Sequence, residues 1–170
     1  MEQNSKSSNP MIALSLIRLQ NEEKKIKEKI ANRQFPANIK ITPVIENNSK
    51  NLFKWNLEIK GRGGTLWEGG TYRFLIEYQD SILKPPIVTV LNKEFRHIHL
   101  YEDKKVCLGI IAEGLWNAET PLYMIATEIE DLIHREPNLT SPADYKLGDI
   151  YYKTPEEYDK IIKEVAKSCQ

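Results

Sequence analysis

The residues with the clearest capacity for chemistry lie in one segment, Phe95–Ile111, which reads FRHIHLYEDKKVCLGII. It contains Cys107, with His97 ten residues and His99 eight residues before it. An ionised thiol is a strong nucleophile, and a neighbouring histidine is a common base for it. The segment therefore predicts a reactive thiol. A buried structural cysteine remains the alternative at this point, because the apolar flanks of Cys107 are typical of a core position.

Neither a cysteine protease nor a zinc site fits the spacing of these residues. Asn117 and Asn138 follow Cys107 in the chain, but no local protease signature surrounds the cysteine. The two cysteines and three histidines have no CxxC or HxxxH spacing. The sequence therefore predicts no metal ion and no cofactor.

Composition and charge indicate an ordinary globular domain. The chain has 170 residues, of which 41 % are hydrophobic and 28 % charged, enough for one domain with its own core. The formal net charge is zero, so no global field attracts nucleic acid or an anionic membrane. No apolar run approaches the roughly 20 residues of a membrane span, and the polar start MEQNSKSSNP lacks the apolar region of a signal peptide. We expect an intracellular protein, located in the cytoplasm, or also in the nucleus of a eukaryote.

Hydrophobic periodicity predicts a disordered N-terminus over residues 1–10 and one domain over residues 11–168. A helix is expected from Ile12 to about Ala31, with an apolar stripe at three- and four-residue steps. Four short strands follow, near residues 39–45, 52–59, 71–78 and 87–91, separated by turn signals that favour an antiparallel meander. Alternation predicts that Phe53 shares the inward face of its strand with Trp55. The stripe consists of Ile12, Leu16, Leu19, Glu23, Ile26 and Ile30.

Three proline-containing signals predict helices in the C-terminal part. Thr120-Pro121 reads as an N-cap and first helical residue, Ser141–Asp144 as a second start, and Thr154–Glu157 as a capping box. Helix, strands and then helices define an α+β fold. Residues 92–119 show little periodicity, and long irregular segments in compact domains are usually functional. Cys169 is the penultimate residue and is expected to be incidental, in a frayed tail.

Six motifs lie in order around the cysteine, and their order and spacing resemble those of the ubiquitin-conjugating enzymes, the E2 family. The resemblance covers roughly residues 12–168. It implies the UBC fold, with an N-terminal helix, a four-stranded antiparallel meander, a long active-site loop and C-terminal helices. The motifs are Trp67-Glu-Gly-Gly, Pro85-Pro86, His97-Ile98-His99, Cys107-Leu-Gly-Ile, Trp116 and Glu136-Pro-Asn-Leu-Thr-Ser-Pro142.

Within this family the chain is most similar to the SUMO-conjugating type. Ile12-Ala-Leu-Ser resembles the opening of that enzyme's first helix, and Trp67 stands where most ubiquitin enzymes carry tyrosine. Asn47–Lys50 fits its longer turn between the first two strands. The modifier itself stays open among SUMO, ubiquitin and other ubiquitin-like proteins, including those of bacterial defence operons.

The resemblance implies that Cys107 accepts a ubiquitin-like protein from an E1 activating enzyme as a thioester and passes it to a substrate lysine. Tyr101 falls where SUMO enzymes have a tyrosine that helps lower the pKa of the attacking lysine. Ser141 falls where the family has an Asp or Ser that gates the cysteine cleft, and it could equally cap the next helix. His97, Asn138 and Trp116 are implied as supports of the active-site loop.

The largest departure from the family lies at His99, which replaces the asparagine of an HPN motif. That asparagine is thought to support the loop and the oxyanion during attack by the amine. A neutral histidine can still donate one N–H, so His99 is a candidate catalytic residue. The alternative is a structural histidine that packs the loop.

The first helix is implied to meet the E1 and the modifier, with Lys24, Lys25 and Lys27 as a basic face for an acidic partner. A solvated helix face is the alternative. An E3 ligase is a further expected partner. The competing hypothesis for the whole chain is a catalytically inactive E2 variant that binds ubiquitin-like proteins without forming a thioester.

Overall fold

The computed structural model describes residues 9–170, and the predicted disorder of residues 1–8 lies outside that range. Asn9 and Pro10 belong to the start of the first helix, so the predicted boundary at residue 10 is wrong. The helices are α1 (Pro10–Ala31), α2 (Leu122–His134), α3 (Tyr145–Lys153) and α4 (Pro155–Ser168). The strands are β1 (Ile39–Glu46), β2 (Ser49–Lys60), β3 (Thr71–Glu77) and β4 (Ile87–Val90).

Helix α1 begins two residues earlier than predicted because the Asn9 side chain caps it. Its Oδ1 accepts the backbone N–H of Met11 at 3.0 Å, and Pro10 occupies the first helical position, where a missing N–H costs nothing. The buried residues are Ser15, Leu19, Glu22 and Ile26, whereas Ile30 is exposed. The inward-facing residues therefore keep the predicted helical spacing, but the buried face is rotated slightly around the helix axis relative to the predicted stripe.

The sheet is antiparallel in the order β1-β2-β3-β4, so the predicted meander and the α+β UBC fold are confirmed. The β1–β2 turn is tighter than predicted, because only Asn47 and Asn48 lie between the strands. Both have positive φ, 50° and 60°, as a two-residue hairpin turn requires and as asparagine tolerates.

A bulge between β1 and β2 corrects the predicted inward face at one position. The register shifts between Pro43 and Val44, which pair with Trp55 and Asn51. As a result Leu52 becomes buried and Phe53 is only partly buried, so the prediction for Phe53 is wrong. Residues 52–54 of β2 have no partner in β1 at this point. Such an odd number of extra residues moves the following side chains to the other face, and simple alternation does not reveal it.

Helix α2 lies over the sheet and completes the core. Its buried residues Ile125, Ile129 and Ile133 recur every four residues, as a helix packed on one side requires, and they join the aromatic core around Trp55 and Phe74. The long segment after β4 is not structureless. Isolated bridges join Thr89 to Lys105 and Leu100 to Val106, and a short 3-10 helix spans Gly109–Ile111. The core therefore holds both ends of the segment that carries Cys107.

All three predicted C-terminal helices exist, and Thr154 is the N-cap of α4, but the caps of α2 and α3 differ from the prediction. Pro121, not Thr120, is the N-cap of α2, and the Glu22 carboxylate of α1 accepts the Leu122 N–H at 2.9 Å. Asp144, not Ser141, caps α3, accepting the N–H of Leu147.

The predicted capping box of α4 does not form, because Thr154 also ends α3. Its N–H donates to the Ile150 carbonyl and is therefore not free for Glu157.

Cys169 is buried rather than frayed, so the prediction of an incidental tail residue is wrong. Its side chain is 2 % exposed, and its carbonyl accepts the N–H of Thr71 at 2.7 Å. The C-terminal end of α4 is thereby fixed to the start of β3.

Candidate active site

Backbone hydrogen bonds hold Cys107 between β4 and the turn of the histidine motif. The Cys107 N–H donates to the His99 carbonyl at 2.8 Å, and the N–H of Val106 donates to the Val88 carbonyl at 2.9 Å. Val106 and Leu108 are buried on either side of the cysteine. This alternation turns the Cys107 side chain outward from an anchored backbone.

Cys107 is partly exposed and lies in an open groove of about 490 Å³. This exposure contradicts the alternative of a buried structural cysteine. The groove runs between the proline pair after β3 and the 3-10 helix that follows the cysteine, and its walls are mostly apolar. Its lining includes Pro85, Pro86, Ile87, Tyr101, Lys105, Leu108, Ile111 and Glu113.

Tyr101 and Cys107 both line this groove. The neighbouring Cys107, through hydrogen bonding and its charge, raises the pKa of Tyr101 above its usual range. The side chain is 47 % exposed, so it is open to an incoming molecule. The structure therefore brings together two of the predicted site residues.

His97 is completely enclosed beneath the loop. Its Nδ1 accepts the N–H of His99 at 3.1 Å, and its ring lies among the rings of Trp67 and Phe95. Burial lowers its pKa to about 3, and the nearby His99 adds to the effect while a hydrogen bond to the Leu132 carbonyl opposes it. His97 is therefore a neutral imidazole with both nitrogens in use, unsuited to accept a proton from Cys107.

His99 is also buried, with 6 % exposure, and it faces helix α2 rather than open solvent. Its Nε2 accepts the N–H of Asn138 at 3.2 Å. Burial, with a smaller contribution from Arg135, lowers the pKa of His99. A neutral ring that accepts at Nε2 carries its proton on Nδ1, so only Nδ1 remains as a donor. This contact favours the structural interpretation of His99.

The loop from Asn138 to Asp144 is joined to the histidine motif at two points. Besides the Asn138–His99 contact, the Ile98 carbonyl accepts the N–H groups of Ala143 and Asp144, each at 2.8 Å. The Asn138 side chain turns away and accepts from Thr140. Ser141 is exposed and is not among the described residues that line the Cys107 groove.

Trp116 supports a different part of the surface. Its Nε1 donates to the Ile82 carbonyl at 3.0 Å, and its ring lies against Tyr78. Ile82 in turn donates its N–H to the Ser15 hydroxyl of α1 at 3.3 Å. Trp116 thus ties the segment after Cys107 to the loop between β3 and β4.

The basic face of α1 is partly neutralised by its own acidic residues. Lys25 pairs with Glu22 at 3.1 Å, and Lys27 pairs with Glu23 at 2.8 Å. Among the described residues no ion pair involves Lys24, which is exposed. The three predicted lysines therefore differ in how freely they can meet an acidic partner.

Sequence reasoning missed Lys104 and Lys105. Lys105 lines the groove beside Cys107 and pairs with Asp103 at 2.7 Å. The Lys104 ammonium donates to the Lys93 carbonyl and so joins the turn of residues 101–105 to the segment that begins at Lys93. Neither residue carries a signal in the motif, because both lie in a turn whose path is visible only in the fold.

No described helix is long and apolar enough to cross a membrane. Over residues 9–170, no three histidine, cysteine, aspartate or glutamate side chains come together as a metal-binding group.

The family model of ubiquitin-conjugating enzymes matches residues 18–166, most of the chain, and the protein therefore belongs to the E2 family. Among its curated relatives is the Sumo-conjugating enzyme ubc9 of Dictyostelium discoideum, 33 % identical over 122 residues, which cover 71 % of this chain and 76 % of the relative. The SUMO-conjugating enzyme UBC9 of Caenorhabditis elegans is 32 % identical over 117 residues, covering 68 % of this chain and 70 % of that protein.

Proposed function

We propose that this E2 accepts the C-terminus of a ubiquitin-like protein from an E1 as a thioester on Cys107 and transfers it to a lysine of a protein substrate. The observation that carries the proposal is the partly exposed Cys107 in an open groove that Tyr101 also lines. A cysteine kept only for packing would be enclosed, as Cys169 is.

The reaction has two acyl transfers that need no redox partner. The Cys107 thiolate attacks the thioester carbonyl on the E1, the new C–S bond forms, and the E1 cysteine leaves as a thiolate. A substrate amine then attacks the new thioester, its proton passes to solvent, and the Cys107 thiolate leaves as the amide forms. A thioester is already activated, so the site must position and desolvate the amine more than deprotonate it.

The neutral histidines agree with this chemistry. His97 and His99 are hydrogen-bonded and buried, and the pKa of each is lowered, so neither is a strong base for Cys107. We assign His97 to the support of the loop and His99 to the attachment of the 138–144 loop. An oxyanion role for His99 would use its Nδ1–H, because Nε2 is occupied by Asn138.

Tyr101 is the residue best placed to meet the attacking amine, since it is exposed and lines the same groove as Cys107. Asn138 and Trp116 act as supports through their backbone and indole hydrogen bonds. A gating role for Ser141 requires the 138–142 loop to move towards the groove, because Ser141 does not line it.

Two surfaces remain for protein partners. Helix α1, with Lys24, Lys25 and Lys27, is proposed to meet the E1 and the modifier. The exposed Leu83 and Leu115 flank the Ile82–Trp116 contact and form an apolar surface suited to an E3 ligase. By contrast Arg62, which pairs with the buried Glu130, is already engaged within the fold.

The modifier proposed first is SUMO, because both relatives described above are named SUMO-conjugating. Ubiquitin and other ubiquitin-like proteins, including those of bacterial pathways, are the further candidates. The purified protein is incubated with ATP, each modifier and its matched E1, and the products are separated with and without dithiothreitol.

The expected result is an adduct that dithiothreitol removes and that Cys107→Ala abolishes. Cys169→Ser is the matched control, because this second thiol is buried, and it should keep the adduct. Binding of a modifier without any dithiothreitol-sensitive adduct would contradict the enzyme proposal and favour the inactive binding module.

A further inference from the structure

Lys104 has a backbone conformation that few side chains adopt. Among the described residues, four that are not glycine have positive φ: Arg33, Asn47, Asn48 and Lys104. The two asparagines form the β1–β2 turn, and Arg33 follows the end of α1, both common places for this conformation. Lys104, with φ of 66°, lies three residues before Cys107. It therefore needs a separate physical reason.

The backbone of Lys104 closes the turn that carries Tyr101. Its N–H donates to the Tyr101 carbonyl at 3.0 Å, and the Tyr101 N–H donates to the Lys105 carbonyl at 2.9 Å. The Lys104 carbonyl accepts the N–H of Val90, the last residue of β4, at 2.9 Å. The position of the Tyr101 side chain in the Cys107 groove therefore depends on the path of this turn.

The side chain of Lys104 fastens the same turn to the core. Its ammonium donates to the carbonyl of Lys93 at 2.8 Å and to that of Phe95 at 3.3 Å. Phe95 is buried and stacks on Trp67, so the acceptor segment is rigidly held. Hydrogen bonds from an ammonium are stronger than neutral ones, particularly at a partly buried position.

We propose that Lys104 is a positioning residue for the transfer step. Its ammonium holds the turn of residues 101–105 against the backbone of residues 93–95 and so keeps the Tyr101 hydroxyl beside Cys107 as the acceptor amine attacks. This inference rests on the proposed function and adds to it a residue that does not itself touch the reacting atoms.

The decisive variant is Lys104→Gly. Glycine adopts positive φ freely, so this change keeps the backbone turn and removes the side chain with its ammonium. We expect discharge of the charged enzyme to free lysine to slow about tenfold, as misplacement of a group near the reacting atoms does, while Cys107 loading changes less than twofold. Lys104→Arg, which keeps a cationic donor, should recover most of the rate.

Lys93→Gln is the matched control, because it removes a positive charge from the cavity that Lys93, Tyr101 and Lys104 line but leaves the carbonyl that Lys104 contacts. It should discharge at the wild-type rate. If the backbone conformation alone mattered, Lys104→Gly would discharge as fast as wild type or faster, and this result would overturn the proposal.

A double-mutant cycle with Tyr101→Phe tests whether Lys104 acts through Tyr101. Adding Lys104→Gly to Tyr101→Phe should slow discharge by less than twofold further, because the hydroxyl that the turn positions is already gone. Independent effects that multiply, or a Tyr101→Phe variant with the wild-type rate, would each overturn the proposal.

A measurement without E1 separates this inference from the proposed function. The rate at which iodoacetamide alkylates Cys107 is followed by mass spectrometry of its peptide between pH 6 and pH 10. Lys104→Gly and Tyr101→Phe should shift this pH profile in the same direction, and the double variant should match Tyr101→Phe. Unshifted profiles in Lys104→Gly would overturn the positioning role even if a thioester forms, and shifted profiles would support it even if none does.

Discussion

Burial of His97 beneath the active-site loop makes the stability of the fold depend on pH. The enclosed ring has a pKa of about 3, against 6.5 for an unperturbed histidine. Between these two values the unfolded chain binds a proton that the folded protein does not, so the free energy of unfolding decreases as the pH falls. The stability of the fold is therefore highest, with respect to this residue, above pH 6.5.

We predict that the free energy of unfolding falls by about 2 kcal/mol between pH 7 and pH 5 on account of His97. Urea unfolding followed by tryptophan fluorescence at the two pH values measures this change. His97→Asn removes the titrating ring, so the variant should be less stable at pH 7 but lose less of its remaining stability at pH 5. An equal pH dependence in wild type and variant would contradict the prediction.

At the scale of single residues, the sequence predicts only part of the candidate site. The motif predicted that Cys107 and Tyr101 belong to one site, and both line the same groove because the chain turns between them at residues 101–105. It did not show that His99 accepts from Asn138, since the two residues are 39 positions apart and meet only through tertiary packing. Nor did it single out Lys104, whose positive φ has no signature in residue type.

At the scale of elements, Glu22 connects α1 to α2. Its carboxylate, 2 % exposed, accepts from Arg18 and Lys25 of its own helix and from the Leu122 N–H at the start of α2. The N-terminal N–H groups of a helix need such acceptors, and the predicted cap Thr120 does not provide one. The correct cap was missed because it comes from 100 residues earlier in the chain.

Replacing Glu22 should destabilise the protein more than replacing its neighbour. We expect Glu22→Ala to lower the free energy of unfolding by about 3 kcal/mol, because the buried Leu122 N–H and the Arg18 Nε–H both lose their acceptor. Glu23→Ala, which removes a carboxylate paired with Lys27 and Lys50 nearer the surface, should cost about 0.5 kcal/mol.

Chemical denaturation of both variants at pH 7 checks this comparison. Equal losses of stability would show that the connection between the helices contributes little. A large loss in Glu22→Ala alone would also explain how α1, which is proposed to meet the E1, is held at a fixed angle to the core.

The order of elements was easier to predict than their ends. Burial of one face produces the hydrophobic periods, three to four residues in α1 and α2 and two residues in the strands. These periods extend over whole elements and can therefore be recognised in the sequence. The ends depend on single hydrogen bonds, such as those of Asn9 and Asp144, for which several nearby residues were equally suitable. The bulge at Pro43–Val44 likewise follows from tertiary packing.

For the molecule as a whole, the zero net charge means that partners are recruited by local surfaces rather than by a global field. On α1 the ion pairs of Lys25 and Lys27 leave Lys24 as the exposed lysine without an intramolecular acid among the described residues. If α1 meets an acidic surface of the E1, Lys24 should contribute most to that encounter, because the other two must first exchange one carboxylate for another.

Lys24→Glu is therefore expected to raise the KM of the E1 reaction for this protein about fivefold at low salt, with little change in kcat, because charge reversal near an interface chiefly slows association. Lys27→Glu should have a smaller effect, since it also releases Glu23 to pair with Lys50 alone. Lys160→Glu makes the same charge change on the exposed side of α4 and should leave KM unaltered.

The difference between Lys24→Glu and wild type should shrink at 0.5 M salt, where the Debye length is only about 4 Å. Loading kinetics at two ionic strengths measure all three variants, and an effect of Lys160→Glu equal to that of Lys24→Glu would show that α1 is not the E1-binding surface.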